Sequence, residues 1–175
     1  MWDFEKYSKN TALIYKNEIL TYKNLYDFTQ DLNSKKKSRS LILFISDNSL
    51  SSYLGYISFL FNTDIQIIID EKNKNNYEEI INNYKPNYIW CKKEYLSKIK
   101  LDLISVYNHK KYHLFEYNKK NILTHKELLL LCTTSGSTGS QKFIKQSLKN
   151  VKSNTKSIIK YQNLKSDDSS ITTLP

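Results

Sequence analysis

Glycine, proline, cysteine and arginine are all scarce in this chain of 175 residues, which has three glycines, two prolines, two cysteines and, at Arg39, a single arginine. Cys91 and Cys132 sit in apolar, strand-like contexts at no metal-ligand spacing. That excludes a disulfide framework and a thiolate metal site, and the two read as reduced, buried thiols of a cytoplasmic protein. Long hydrophobic runs are missing too. The longest, from Tyr53 to Phe61, is broken by Gly55 and Ser58 and falls well short of the ~20 residues needed to span a bilayer. The N-terminus has neither the basic start nor the apolar run of a secretion signal. The formal net charge of +10 would point to nucleic acid. It is carried almost wholly by lysines scattered among Asn, Ile and Tyr, without arginine forks or a recognisable reading module, so no nucleic-acid partner is expected.

What is present is an alternation of apolar runs and helical stripes. Residues 12–16 read as a short strand, and Thr21 caps a helix with the apolar face Leu25, Phe28 and Leu32. Residues 34–40, with three consecutive lysines, read as a polar loop. The run Leu41 to Ile45 has the pattern of a strand covered on both faces in a parallel sheet. Asp47 or Asn48 can cap the next helix, whose stripe is Leu50, Tyr53, Leu54, Ile57, Leu60 and Phe61. The cycle repeats with a strand over 65–69, a stripe of Tyr77, Ile80, Ile81 and Tyr84, a stop at Pro86, and a strand over 88–91. This repetition predicts an α/β fold of layered βα units around a largely parallel sheet. Two short strands are expected within 101–117, flanking His109, and a polar connection over 118–126. His109 and His113, four apart without helical periodicity or an acidic partner, are read as ordinary histidines rather than zinc ligands.

Residues 127–133 form the most apolar strand, and it leads into Thr134-Ser135-Gly136-Ser137-Thr138-Gly139-Ser140-Gln141-Lys142. Two of the three glycines fall in this one loop. Glycine permits positive φ and close approach of a ligand to the backbone, so a Gly-x-x-Gly segment can turn several N–H groups toward one anion. Ser135, Ser137 and Thr138 add hydroxyl donors, and Lys142 adds a full charge: the equipment of a phosphate cradle. The spacing is not that of a P-loop NTPase, because Lys142 comes three residues after Gly139 and Phe-Ile follows. Nor is it a nucleophile elbow, since Ser135 stands where that motif needs glycine. A short strand over 143–146, a cap at Ser147 and a helix with Leu148, Val151, Ile158 and Ile159 on its apolar side should follow. Lys149, Lys152, Lys156 and Lys160 then face water.

The segment from Thr133 to Lys142 resembles the phosphate-binding motif of the adenylate-forming superfamily of acyl-CoA synthetases, luciferases and peptide-synthetase adenylation domains. Leu20-Thr21-Tyr22-Lys23-Asn24-Leu25, Asp47-Asn48-Ser49, Tyr84-Lys85-Pro86-Asn87, Ser147 and Asn150, and Ile171-Thr172-Thr173-Leu174-Pro175 fall in the order of matching elements, so the resemblance covers nearly the whole chain. It implies an AMP-dependent ligase of the acid–thiol type. Residues 1–175 would be an incomplete AMP-binding domain, the truncated N-terminal portion of the large domain. Thr134, Ser135, Gly136, Ser137, Thr138, Gly139 and Lys142 would hold ATP phosphates and help pyrophosphate leave. A carboxylic acid would become an acyl-adenylate and, in many members, a thioester with CoA or a carrier-protein thiol. The pattern departs at Gln141 (usually proline), Phe143 (usually glycine) and Leu148 (usually histidine). The acid for Mg²⁺, the ribose-binding aspartate, the acyl pocket and the late lysine are expected beyond Pro175, so no catalytic residue is assigned and the chain alone is expected to be inactive. The alternatives are a non-catalytic remnant or interaction module, and a basic nucleic-acid binder.

Overall fold

The computed structural model describes residues 3–171 except 38, 74, 75, 98, 100, 121, 123 and 134–142. The strands are β1 (Thr11–Tyr15), β2 (Glu18–Thr21), β3 (Leu41–Ser46), β4 (Ile65–Asp70), β5 (Tyr88–Lys92), β6 (Ile104–His109), β7 (Tyr112–Glu116), β8 (Leu128–Thr133) and β9 (Phe143–Ser147). The helices are α1 (Tyr22–Ser34), α2 (Leu50–Phe61), α3 (Tyr77–Tyr84) and α4 (Leu148–Tyr161).

Seven strands form one sheet in the order β6-β7-β5-β3-β4-β8-β9, and β1 and β2 pair separately as a hairpin. The four central strands are parallel, and β7, β6 and β9 join antiparallel at the two edges. The centre is where the sequence is continuously apolar: Leu41 to Ile45 are all buried, as a strand covered on both faces requires. Leu43, Ile45, Ile67 and Ile69 pack with Tyr77, Ile80 and Ile81 of α3. Ile42, Phe44 and Trp90 pack on the opposite face with Phe59 of α2 and Leu32 of α1. Helices on both faces make this a doubly wound α/β sheet, and the reversal of winding lies between β3 and β5.

Several local expectations need correction. The four-residue strand β2 was not anticipated. The cap of α2 is Ser49, whose side chain accepts from the Ser52 backbone, because Asp47 is drawn into an ion pair instead. Tyr53 and Tyr84 are more than a third exposed rather than parts of buried stripes. Cys132 is only half-buried, as it lies near the outer edge of the sheet, whereas Cys91 is fully buried and its thiol is pushed up by burial. The lysine-rich segment 34–40 is not wholly solvated: the Lys36 side chain is buried against Asp64 at 2.6 Å, and Ser40 is buried beside it. The amphipathic α4 forms as expected with its capping box at Ser147 and Asn150, but none of its residues is buried. The expectation of a strand at 171–175 falls largely outside the described residues.

Candidate functional site

Strands β8 and β9 are the stems of the glycine-bearing loop. They pair antiparallel with Thr133 opposite Phe143, and Cys132 is also in parallel register with Ile68 of β4. The loop therefore springs from the carboxyl end of the parallel strands, the edge at which open α/β sheets bind ligands. The residues singled out for phosphate binding, Thr134, Ser135, Gly136, Ser137, Thr138, Gly139 and Lys142, lie outside the described residues. Their frame does not. Phe143, standing where the motif usually has glycine, packs edge-to-face on Tyr84 with ring centroids 5.3 Å apart, and leans on the main core. The departure from the motif thus ties β9 to α3 at the exit of the loop.

The same carboxyl edge carries a second group of polar residues, which the sequence reading missed. Asp47 follows β3, Glu71 follows β4, and Lys92 ends β5. Lys92 Nζ lies 2.5 Å from Asp47 Oδ2. The Tyr95 hydroxyl is 3.2 Å from Asp47 Oδ2 and hydrogen-bonds Glu71, while the Lys92 ammonium sits 5.3 Å from the centre of the Tyr95 ring. Burial raises the Asp47 carboxyl, but hydrogen bonds from Lys92 and Ser49 outweigh it and hold the group below the usual carboxylate range. Burial and Glu71 push the Tyr95 phenol upward, keeping it a neutral donor. Tyr112 closes the cluster by donating to the Ile45 carbonyl at 3.1 Å. The crevice between β3 and β5, where a doubly wound sheet would otherwise receive a ligand, is filled by an ion pair and aromatic rings. That leaves the rim at β8 and β9. Asp47, Glu71 and Lys92 each stand at or just past the end of an apolar run, but only the adjacency of the strand ends makes them a group.

His109 and His113 lie on the β6–β7 hairpin and do not come together as ligands: His109 Nδ1 is 2.9 Å from Ser51 Oγ, and His113 Nδ1 is 3.0 Å from Ser105 Oγ. Among the described residues no group of three or more His, Cys, Asp or Glu could hold a metal ion. His109, packed edge-on against Phe28, is held below its ordinary pKa by burial and by Lys110. A histidine lowered in the folded state adds stability that is full above about pH 6.5 and is lost as the pH falls through the folded value, because the unfolded chain takes up the proton first. Urea titrations from pH 7.5 to 5 should show stability falling, and His109→Gln should flatten that fall. An equal slope in the variant would remove His109 as its source.

A scan against protein-family models finds no match, and neither does a search of curated proteins. Solved structures do match. The o-succinylbenzoate CoA synthetase of Bacillus subtilis, bound to its acyl-adenylate intermediate, superposes with a TM-score of 0.69 at 14% identity, covering 94% of this chain and 46% of that one. The fatty acyl-adenylate ligase of L. pneumophila, in complex with acyl adenylate and pyrophosphate, gives 0.62 at 19% identity over 87% of this chain and 30% of that one. The fold is that of adenylate-forming enzymes. A luciferase-like enzyme from the mealworm Zophobas morio agrees, with a TM-score of 0.57 at 20% identity over 82% of this chain and 40% of that one. The present chain spans less than half the length of each of these adenylate-forming proteins. No helix among its described residues is long and apolar enough to cross a membrane.

Proposed function

We propose that residues 1–175 are the phosphate-binding part of an AMP-binding domain in an ATP-dependent, carboxylate-activating ligase of the cytoplasm. The observation that carries the reading is where β8 ends and β9 begins, the two strands that the Ser/Thr/Gly/Lys segment joins in sequence. On the fold of enzymes that form acyl-adenylates, both ends lie at the carboxyl edge of the parallel strands. Thr134, Ser135, Gly136, Ser137, Thr138 and Gly139 would turn hydroxyl and backbone donors onto the β- and γ-phosphates of ATP, with Lys142 offsetting their charge. Carboxylate attack on the α-phosphorus would then break its bond to the pyrophosphate and leave an acyl-adenylate, from which the thiol of CoA or of a carrier protein could take the acyl group as a thioester with release of AMP. Magnesium commonly accompanies such triphosphates, but the described residues offer no ligand cluster for it. No step is assigned to it.

Titration of the chain with a fluorescent ATP analogue tests the reading. The wild-type chain should bind saturably, and Lys142→Ala should bind about ten- to a hundredfold more weakly, the loss of one charge-assisted hydrogen bond of about 1.5–3 kcal/mol. Equal affinity of the two would take Lys142 out of the site. An absence of saturable binding by the wild type would sink the reading for this chain.

A specific observation favours a second reading, an interaction module: α4 buries none of its residues, and β9 is an edge strand on which Ile144 is 48% exposed. The titration separates the two readings.

A further inference from the structure

A groove of about 660 Å³ runs between α4 and the end of the sheet where β8 begins. Its lining is mostly apolar, with Leu128, Leu129 and Leu148 along the floor, and Leu129 is fully buried in the small core that also receives Val151. Five cations surround that floor: Arg39, Lys126, Lys149, Lys152 and Lys156, against one acid, Glu127. None of the five is ion-paired among the described residues. Lys149, Lys152 and Lys156 stand at i, i+3 and i+7 on α4, so they share one helical face over two turns.

Arg39 is held differently from the lysines. Its guanidinium donates to the carbonyls of Thr63 at 3.2 Å, His125 at 2.9 Å and Lys126 at 2.6 Å. These neutral acceptors fix the head group in place without cancelling its charge. A positive charge is thereby anchored at one end of a leucine floor, with four exposed lysines around it.

We propose that this groove is a docking site for an acidic amphipathic helix of a partner protein. Such a helix would lay its apolar face on Leu128 and Leu148, which keep exposed surface above the buried Leu129, and bring carboxylates to the surrounding cations. A second copy of this chain is disfavoured, since each copy carries a formal charge of +10. Nucleic acid is a poorer match: no aromatic side chain lines the groove on which a base could stack, its floor is aliphatic, and the arginine fork is already committed to carbonyls. The proposal is independent of nucleotide binding, because the groove lies at the opposite end of β8 from the glycine-bearing loop.

The test uses the full chain and a fluorescein-labelled helical peptide of about four turns with leucines at i, i+3 and i+4 spacing and glutamates elsewhere. Its controls are the same peptide with Gln for every Glu, and random-sequence single- and double-stranded DNA. The acidic peptide should bind, with an affinity that falls as salt is raised. It should bind at least about tenfold more weakly to K149E/K152E/K156E, in which the replaced lysines are exposed and circular dichroism should remain that of the wild type. Leu148→Asn, which leaves the α4 charges unchanged, should weaken the peptide through the floor. The proposal is overturned by no binding, by equal binding of the Gln peptide, by equal binding to the triple variant, or by DNA binding more tightly than the peptide and being lost in that variant.

Discussion

Asp64→Ala should cost this fold about 3–5 kcal/mol, the usual loss when one member of a buried ion pair is removed. Asp64 and the Lys36 ammonium are 2.6 Å apart, and neither side chain has exposed surface. Asp64 also accepts from the Ser40 backbone at 2.8 Å and from the Asn62 amide at 3.3 Å. The alanine variant would leave a buried ammonium and a buried N–H without their acceptor. Burial is the leading influence on both groups, raising Asp64 and lowering Lys36 even against their mutual attraction. Desolvation outweighing attraction means that the pair contributes little net stability over an apolar substitute. Hence Lys36→Met together with Asp64→Leu should recover most of the loss. Urea unfolding of Lys36→Met, Asp64→Leu and the double decides the matter. Additive losses would show that the two side chains do not act as a pair.

Gly55→Ala should reverse an ordinary expectation. In a helix interior alanine is normally favoured over glycine by about 0.5–1 kcal/mol. At Gly55, in the middle of α2, an added Cβ would lie 2.2 Å from Trp90 Nε1 and 2.7 Å from two further indole atoms. The ring has nowhere to go: Trp90 is fully buried, its N–H donates to the Ser51 carbonyl at 3.2 Å, and Phe59, Tyr107 and Tyr112 pack around it. Overpacking of this kind costs about 1–3 kcal/mol and occasionally more, and this site belongs at the upper end. Trp90→Phe shortens the ring and should make Gly55→Ala far less costly than in the wild type. Thermal unfolding of the four proteins gives the coupling. A stabilised single variant would show that the helix slides away from the sheet at little cost.

The central elements were legible in the sequence because their burial is unbroken or strictly periodic. Leu41 to Ile45 and Ile65 to Ile69 can only be strands of a covered sheet, and Thr21 and Ser147 are followed at the third helical position by Asn24 and Asn150, which complete their caps. What escaped were partnerships between residues distant in the chain. Asp47, Asn48 and Ser49 are all able to cap α2, and the choice of Ser49 depends on Lys92, a residue two strands away. Lys36 looks solvated within its lysine run until Asp64, at the far end of α2, is brought to it. Of the candidate site, the donors proposed at residues 134–142 are a reading of the sequence, and they lie outside the described residues. The charged plug between β3 and β5 was not legible there, since it exists only once three strand ends are adjacent.

The attachment of β8 bears on the order in which the molecule opens. Its parallel ladder to β4 joins residues remote in sequence, Gln66 with Leu130 through Ile68 with Cys132, whereas its hairpin with β9 is local. Long-range pairing carries the greater loop-closure entropy, and units joined to a core by one such ladder tend to detach ahead of global unfolding. Gln66 adds to this, because its buried side-chain oxygen has no hydrogen-bond partner among the described residues. The β8–β9 hairpin with α4, restrained besides by Arg39 and the Phe143–Tyr84 contact, should therefore open before the central strands, its amides exchanging with deuterium sooner than those of β3. A nucleotide held by the loop between those strands would act as a clasp, and its arrival could be followed as slowed exchange along β8.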